Sequence, residues 1–156
     1  MPAFRVLATN HTSFTVSDLD RALAFFRDAL GFEVTSKAPR SRRVIEAITG
    51  VQGADVMIGY VKGPGHTLEL IEYRGPEDRG RARPRPCDVG FAHIAYDVDD
   101  IDAAIVAAAA YAFAPISSPT MVDQGPNTGG RVAYLRDADG ITVELIQGPS
   151  PDVRRS

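Results

Sequence analysis

The strongest constraint on this chain is that it repeats itself. Asn10 to Ala22 reads Asn-His-Thr-Ser-Phe-Thr-Val-Ser-Asp-Leu-Asp-Arg-Ala, and Gly90 to Ala104 reads Gly-Phe-Ala-His-Ile-Ala-Tyr-Asp-Val-Asp-Asp-Ile-Asp-Ala-Ala. His93 stands 82 positions after His11, and Phe14, Val16, Asp18, Leu19 and Asp20 meet Tyr96, Val98, Asp100, Ile101 and Asp102 at the same spacing. A second match closes each copy: Thr-Leu-Glu-Leu-Ile at 67–71 returns 75 positions later as Thr-Val-Glu-Leu-Ile at 142–146. A period near 80 residues is too long for a solenoid, so the chain is read as two supersecondary modules packed as a pseudo-symmetric pair.

The 156 residues, 44% of them apolar, suit a single domain with a real core. Within residues 1–156, module 1 is expected over about 5–74, a linker over 75–89, module 2 over about 90–148 and a tail over 149–156. No run reaches the roughly 18 apolar residues of a membrane span, and Met-Pro-Ala-Phe-Arg lacks the apolar core of a signal peptide. A cytoplasmic protein with no membrane partner is expected. Cys87 is alone, so there is no disulfide framework, and no neighbouring His makes it a nucleophile. A net charge of −3 argues against nucleic acid as partner.

Val6 to Val16 alternates as a half-buried strand, with Phe14 and Val16 on one face and His11, Ser13 and Thr15 on the other. Ser17 with Asp20 predicts a helix start, and Leu19, Leu23, Phe26 and Leu30 follow at helical spacing up to Gly31. Strands are expected at 32–36, 54–61 and 66–73, with a short helix at 44–49, giving a β-α-β-β-β module. Residues 74–88, rich in Pro, Gly and charge, read as the unordered linker. Module 2 repeats the plan: a strand at 91–98, a helix from the Asp99–Asp102 acidic cap through the Ala-rich 103–110, a loop, then a hairpin of 131–135 and 141–146 around Asp137-Ala138-Asp139-Gly140. The predicted class is α+β, two tandem β-α-β-β-β modules forming a metal-containing cup.

Strand parity carries the chemistry. Leu68 and Leu70 take one face and Glu69, Ile71 and Tyr73 the other; Val143 and Leu145 likewise oppose Thr142, Glu144 and Ile146. If the leucines and Val143 pack against helices, both glutamates point away from them, and the first strands send His11 and His93 the same way. Two imidazoles and two carboxylates in one cup make a donor set for Zn, Ni, Co, Mn or Fe(II), with positions left open for a substrate.

Taken with Asp-Leu-Asp-Arg-Ala-Leu-Ala-Phe-Phe-Arg-Asp-Ala-Leu-Gly-Phe and Asp-Ala-Asp-Gly-Ile-Thr-Val-Glu-Leu-Ile, these stretches resemble the vicinal oxygen chelate superfamily over roughly residues 6–148. That group includes glyoxalase I, methylmalonyl-CoA epimerase, extradiol dioxygenases, fosfomycin resistance enzymes and bleomycin resistance proteins. The resemblance implies a divalent metal held by His11, Glu69, His93 and Glu144, a set most similar to that of glyoxalase I. The epimerases usually have Gln at the place of Glu69, the dioxygenases a second His, and the bleomycin binders lack the set.

The favoured reading is therefore a metal-dependent lyase or isomerase moving a proton next to a carbonyl, on a small substrate with vicinal oxygens, with Glu144 or Glu69 as base. Two alternatives are a small-molecule binding or resistance protein without turnover and an Fe(II) ring-cleaving dioxygenase. A homodimer is expected from the resemblance. Glu46 stands near a carboxylate used by the epimerases, Tyr73 shares the face of Glu69, and Asn127, Thr128 and Gly129 could cover a substrate. His66, three residues from Glu69, points to the other face. Arg40, Arg42 and Arg43, and Arg79, Arg81, Arg83 and Arg85, form two basic groups; at a cup's rim they would favour an anionic substrate.

Overall fold

The computed structural model describes residues 3–149 and divides the chain into two compact units, residues 1–79 and 80–156. In the first, a sheet runs in the order β1-β4-β3-β2, with strands β1 (Thr12–Val16), β2 (Glu33–Pro39), β3 (Asp55–Gly63) and β4 (His66–Gly75). Strands β1 and β4 are parallel, and the other two pairs antiparallel. Helix α1 (Leu19–Ala24) lies on one face, and α2 (Arg42–Thr49) fills the short helix expected before Gly50.

Helix α1 starts one residue later than the capping pattern suggests. Asp18, not Ser17, is the extended cap, and its carboxylate accepts from the Arg21 backbone N–H at 2.9 Å. The Leu19 N–H is taken by the Glu72 carboxylate at 3.0 Å, so the last strand holds the helix start. Leu19, Ala22 and Leu23 are buried, and the helix then widens into one π-helical turn, Phe25–Ala29. Regular helical spacing would separate the consecutive phenylalanines by about 100°. In the widened turn Phe25 and Phe26 are both only 1% exposed.

Beneath them lie Val56, Ile58, Val61, Leu68 and Leu70, all buried. Two glycines on β3 allow the close fit. A Cβ on Gly59 would stand 2.9 Å from Leu23, and one on Gly63 only 2.5–2.9 Å from three ring atoms of Phe32.

Strand β1 is shorter than the alternation from Val6 suggests. Its partner β4 begins at His66, and pairing starts at Thr12 opposite Leu68, so residues 6–9 lie beyond the ladder. Phe4, Val6 and Leu7 are accordingly exposed.

The second unit has β5 (Ile94–Asp97), α3 (Ile101–Ala109), β6 (Ala114–Pro115), β7 (Thr120–Met121), β8 (Arg131–Arg136) and β9 (Thr142–Gln147). Its sheet runs β5-β9-β8-β6, with β7 also on β8, and β5 is parallel to β9. Asp100 caps α3 through the Ala103 N–H at 2.9 Å, and Gln147 accepts from the Ile101 N–H at 3.0 Å. The helix-start arrangement of the first unit is thus written again. Ile101, Ala108, Phe113, Ala133, Leu135, Val143 and Leu145 form the core. The stretch read as a loop before the hairpin contains the two short strands, and Pro115 and Pro119 limit their length. Asp137 closes the hairpin, its Oδ1 accepting from the N–H groups of Asp139 and Ile141.

Residues 76–88 form no helix or strand, and several arginines of this stretch find local acceptors. Arg79 donates to the Pro76 carbonyl and Arg83 to the Ala138 carbonyl, while Arg85 pairs with Asp88 at 2.8 Å. Residue 149 is the only part of the expected tail within the described residues. Among the described residues no helix is long and apolar enough to cross a membrane.

Candidate active site

In the first unit the parallel register sets Ser13 opposite Glu69, which brings His11, just ahead of β1, beside that glutamate. His11 Nε2 lies 3.4 Å from Glu69 Oε2, and both side chains are partly covered. The Asn10 side-chain oxygen lies 2.6 Å from His11 Nδ1 and accepts the hydrogen there. With Nδ1 taken by Asn10, Nε2 is the ring nitrogen turned toward the carboxylate. Tyr60, directly opposite Glu69 on β3, donates its hydroxyl to Glu69 Oε1 and meets the His11 ring edge-on at 5.8 Å. That bond to Glu69, then burial and the glutamate's charge, push the phenol up, with the Arg40 guanidinium opposing.

The second unit builds the same pair. Ala95 faces Glu144 across the parallel β5–β9 ladder, and His93 Nε2 lies 2.9 Å from Glu144 Oε2. Tyr134 occupies the station of Tyr60, opposite Glu144 on β8, but its hydroxyl lies 3.5 Å from His93 Nε2. Burial, then the charge of Glu144, push this phenol up. Phe91 stacks on both His93, at 5.8 Å between centroids, and Tyr134, at 6.5 Å.

Do these residues suit a divalent ion? Two donors each about 2.1 Å from one ion, at octahedral to tetrahedral angles, lie about 3.0–3.4 Å apart. The His11–Glu69 separation, 3.4 Å, falls in that range, and the His93–Glu144 separation, 2.9 Å, is a hydrogen-bond contact just short of it. Each unit contributes two donors; among the described residues no group of three His, Cys, Asp or Glu side chains is gathered. Chemically each pair offers one nitrogen and one oxygen donor of the kind a divalent metal takes.

Other expected residues fall elsewhere. Glu46 Oε1 accepts from the Gly53 N–H at 2.7 Å, closing the turn after α2. His66 Nε2 pairs with the Thr12 hydroxyl at 2.8 Å. Tyr73 is half-buried on β4. The loop holding Asn127, Thr128 and Gly129 is tied by its own bonds, Thr128 Oγ1 to the Gly125 carbonyl at 2.6 Å and Gly129 N–H to the Val122 carbonyl at 2.8 Å. Arg40 donates to the carbonyls of Ala38 and Pro39.

Sequence reasoning missed Asn10, Tyr60, Phe91 and Tyr134. The tyrosines were within reach: the repeat already fixed both glutamates, and counting back through each hairpin turn lands on a tyrosine both times.

Two α+β units, each displaying a His–Glu pair from a parallel strand pair at the sheet edge, make a twin-module fold. The chain belongs to the Glyoxalase/Bleomycin resistance protein/Dioxygenase superfamily, whose sequence profile matches residues 8–145. It is 32% identical to a 2-epi-5-epi-valiolone epimerase from an Actinomyces species, across 92% of this chain and 81% of that protein. It is 27% identical to a lactoylglutathione lyase of Pseudomonas putida, across 96% and 90% of the two chains. Among solved structures, a glyoxalase family protein from Bacillus cereus shares the fold with a TM-score of 0.81 at 24% identity, covering 96% of this chain and 99% of the other.

Proposed function

We propose that this chain is a divalent-metal-dependent lyase or isomerase that moves a proton on a carbon next to a carbonyl. The observation that carries the reading is the His–Glu pair made twice, Nε2 to Oε2 at 3.4 and 2.9 Å, at matching points of two repeated units. The names of the relatives, an epimerase and a lyase, lend support. His11, Glu69, His93 and Glu144 would hold the ion. When bound, the ion supplies positive charge against the negative charge that develops on the substrate's two vicinal oxygens.

The chain's own groups do the rest. Asn10 fixes the His11 tautomer, so that Nε2 is the ligating atom. Tyr60 holds one oxygen of Glu69, which makes that carboxylate the steadier of the two. Glu144 has no phenol bond and is the group assigned to take and return the proton.

The test is metal analysis of purified protein, followed by a screen for proton exchange in deuterated water. The panel holds 2-oxoaldehyde hemithioacetals, 2-methyl-branched acyl-CoAs and 2-epi-5-epi-valiolone. Stoichiometric metal and exchange lost in His11→Ala are expected. A chain without stoichiometric metal, binding small molecules equally well as His11→Ala, would leave the non-catalytic binding role instead.

A further inference from the structure

Strand β8 turns Val132, Tyr134 and Arg136 toward the face that carries Glu144, while Ala133 and Leu135 enter the core. Along that face three environments follow one another. At Val132 there is a cavity of about 240 Å³, lined also by Ile116, Met121, Val122 and Tyr134. In the middle Tyr134 meets His93 and Glu144. At the far end stands Arg136, on the order of 7 Å along the strand from Tyr134.

Arg136 is built in rather than loose. Its Nε donates to Thr142 Oγ1 at 3.0 Å, and Thr142 is itself buried. Its guanidinium lies 5.4 Å from the centroid of Phe91, the ring that also stacks on His93. Yet one terminal nitrogen, Nη2, is out of solvent contact and has no hydrogen-bond partner. Arg27, Arg74, Arg85 and Arg131 each pair with a carboxylate at the surface. Arg136, with its charge partly withdrawn from water, pairs with none among the described residues. A half-buried guanidinium normally has an anion against it, because desolvating the charge alone is costly. With Nε committed to Thr142 and Nη2 covered by the protein, the nitrogen left for a ligand is Nη1, a charged donor for one oxygen of a carboxylate or phosphate.

We infer that Arg136, held by Thr142 and Phe91, is the recognition residue for an oxyanion on the substrate, a carboxylate or phosphate group about one strand pair from the reacting carbon. The inference rests on the proposed function for calling the ligand a substrate; the anion site itself does not. In the other unit Arg40 acts on Tyr60, so each His–Glu pair has a guanidinium in its neighbourhood.

The experiment titrates the metal-free, full-length chain with inorganic phosphate and, separately, with acetate, by calorimetry. Saturable binding is expected, weakened on the order of tenfold or more in Arg136→Gln. Arg136→Lys, which keeps the charge but loses the Thr142 bond that holds the side chain, should fall between, and Arg85→Gln should bind as the parent does. Tighter phosphate assigns a phosphate group, tighter acetate a carboxylate. No saturable binding of either anion, unchanged binding in Arg136→Gln, or equal loss in Arg85→Gln would overturn the inference. If Arg136→Gln does not fold, Arg136→Lys and Thr142→Val take its place, and undiminished binding in both overturns it. Metal content is read separately on the chain as purified, before the metal is stripped for the titrations: absent metal there sinks the proposed function and leaves the anion site standing.

Discussion

Tyr60 stands directly opposite Glu69 across the β3–β4 ladder and gives its hydroxyl to that carboxylate, whereas Tyr134, at the same station opposite Glu144, turns toward His93. The two units therefore display the same residues with different bonding. The carboxylate with a phenol donor suits a permanent ligand, and the one held by its histidine alone suits a group that moves a proton.

Removing the anchor should be felt in metal affinity. Tyr60→Phe is expected to weaken divalent metal binding on the order of tenfold, within the range seen when a group supporting a ligand is lost. Tyr134→Phe should weaken it less. Competition against a chromophoric chelator measures both, and equal losses would remove the distinction between the carboxylates.

Glu144→Gln keeps the shape and loses the base. Proton exchange should fall by at least about two orders of magnitude while substrate binding persists. Exchange kinetics beside a binding titration decide it; undiminished turnover would sink the assignment.

Packing gives a third expectation. In Gly63→Ala the new methyl must displace the Phe32 ring, which stacks on Phe26 at 5.8 Å and is only 8% exposed. The overpacking should cost about 1–3 kcal/mol. Urea melts of parent and variant supply the comparison, and an unchanged midpoint would show that the ring moves freely.

Alkaline stability should depend on Tyr96. Burial pushes its phenol well above the ordinary value. The folded chain then keeps a proton that the unfolded chain releases above a pH of about 10, so stability falls as pH rises past that point. Tyr96→Phe should flatten the decline. Denaturant midpoints through that range test it, and an equally steep fall in the variant would assign the effect elsewhere.

How far could this be read from the sequence? Parity alone distinguished the buried Leu68, Leu70, Val143 and Leu145 from the glutamates between them, because a strand's period of two admits only two choices. The repeat paired each His with its Glu. What escaped was whatever depends on bonds between distant positions. Asp18 displaced Ser17 as cap because Glu72, on a strand more than fifty residues away, receives the next N–H. The tyrosines needed the hairpin register, and Arg136 needed to be seen without a carboxylate partner among the described residues.

The clasp of Glu72 on α1, and of Gln147 on α3, sits three residues beyond the glutamate of each pair, so it faces the opposite way along the same strand. A slip of one residue in β4 or β9 would do two kinds of damage together: it would send a leucine or valine to the polar face, and it would pull the acceptor off the helix N-terminus. Assembly of the His–Glu pair and docking of the helix thus act as a mutual proofreading step, and a chain whose helix is seated has already brought its glutamate to the correct side.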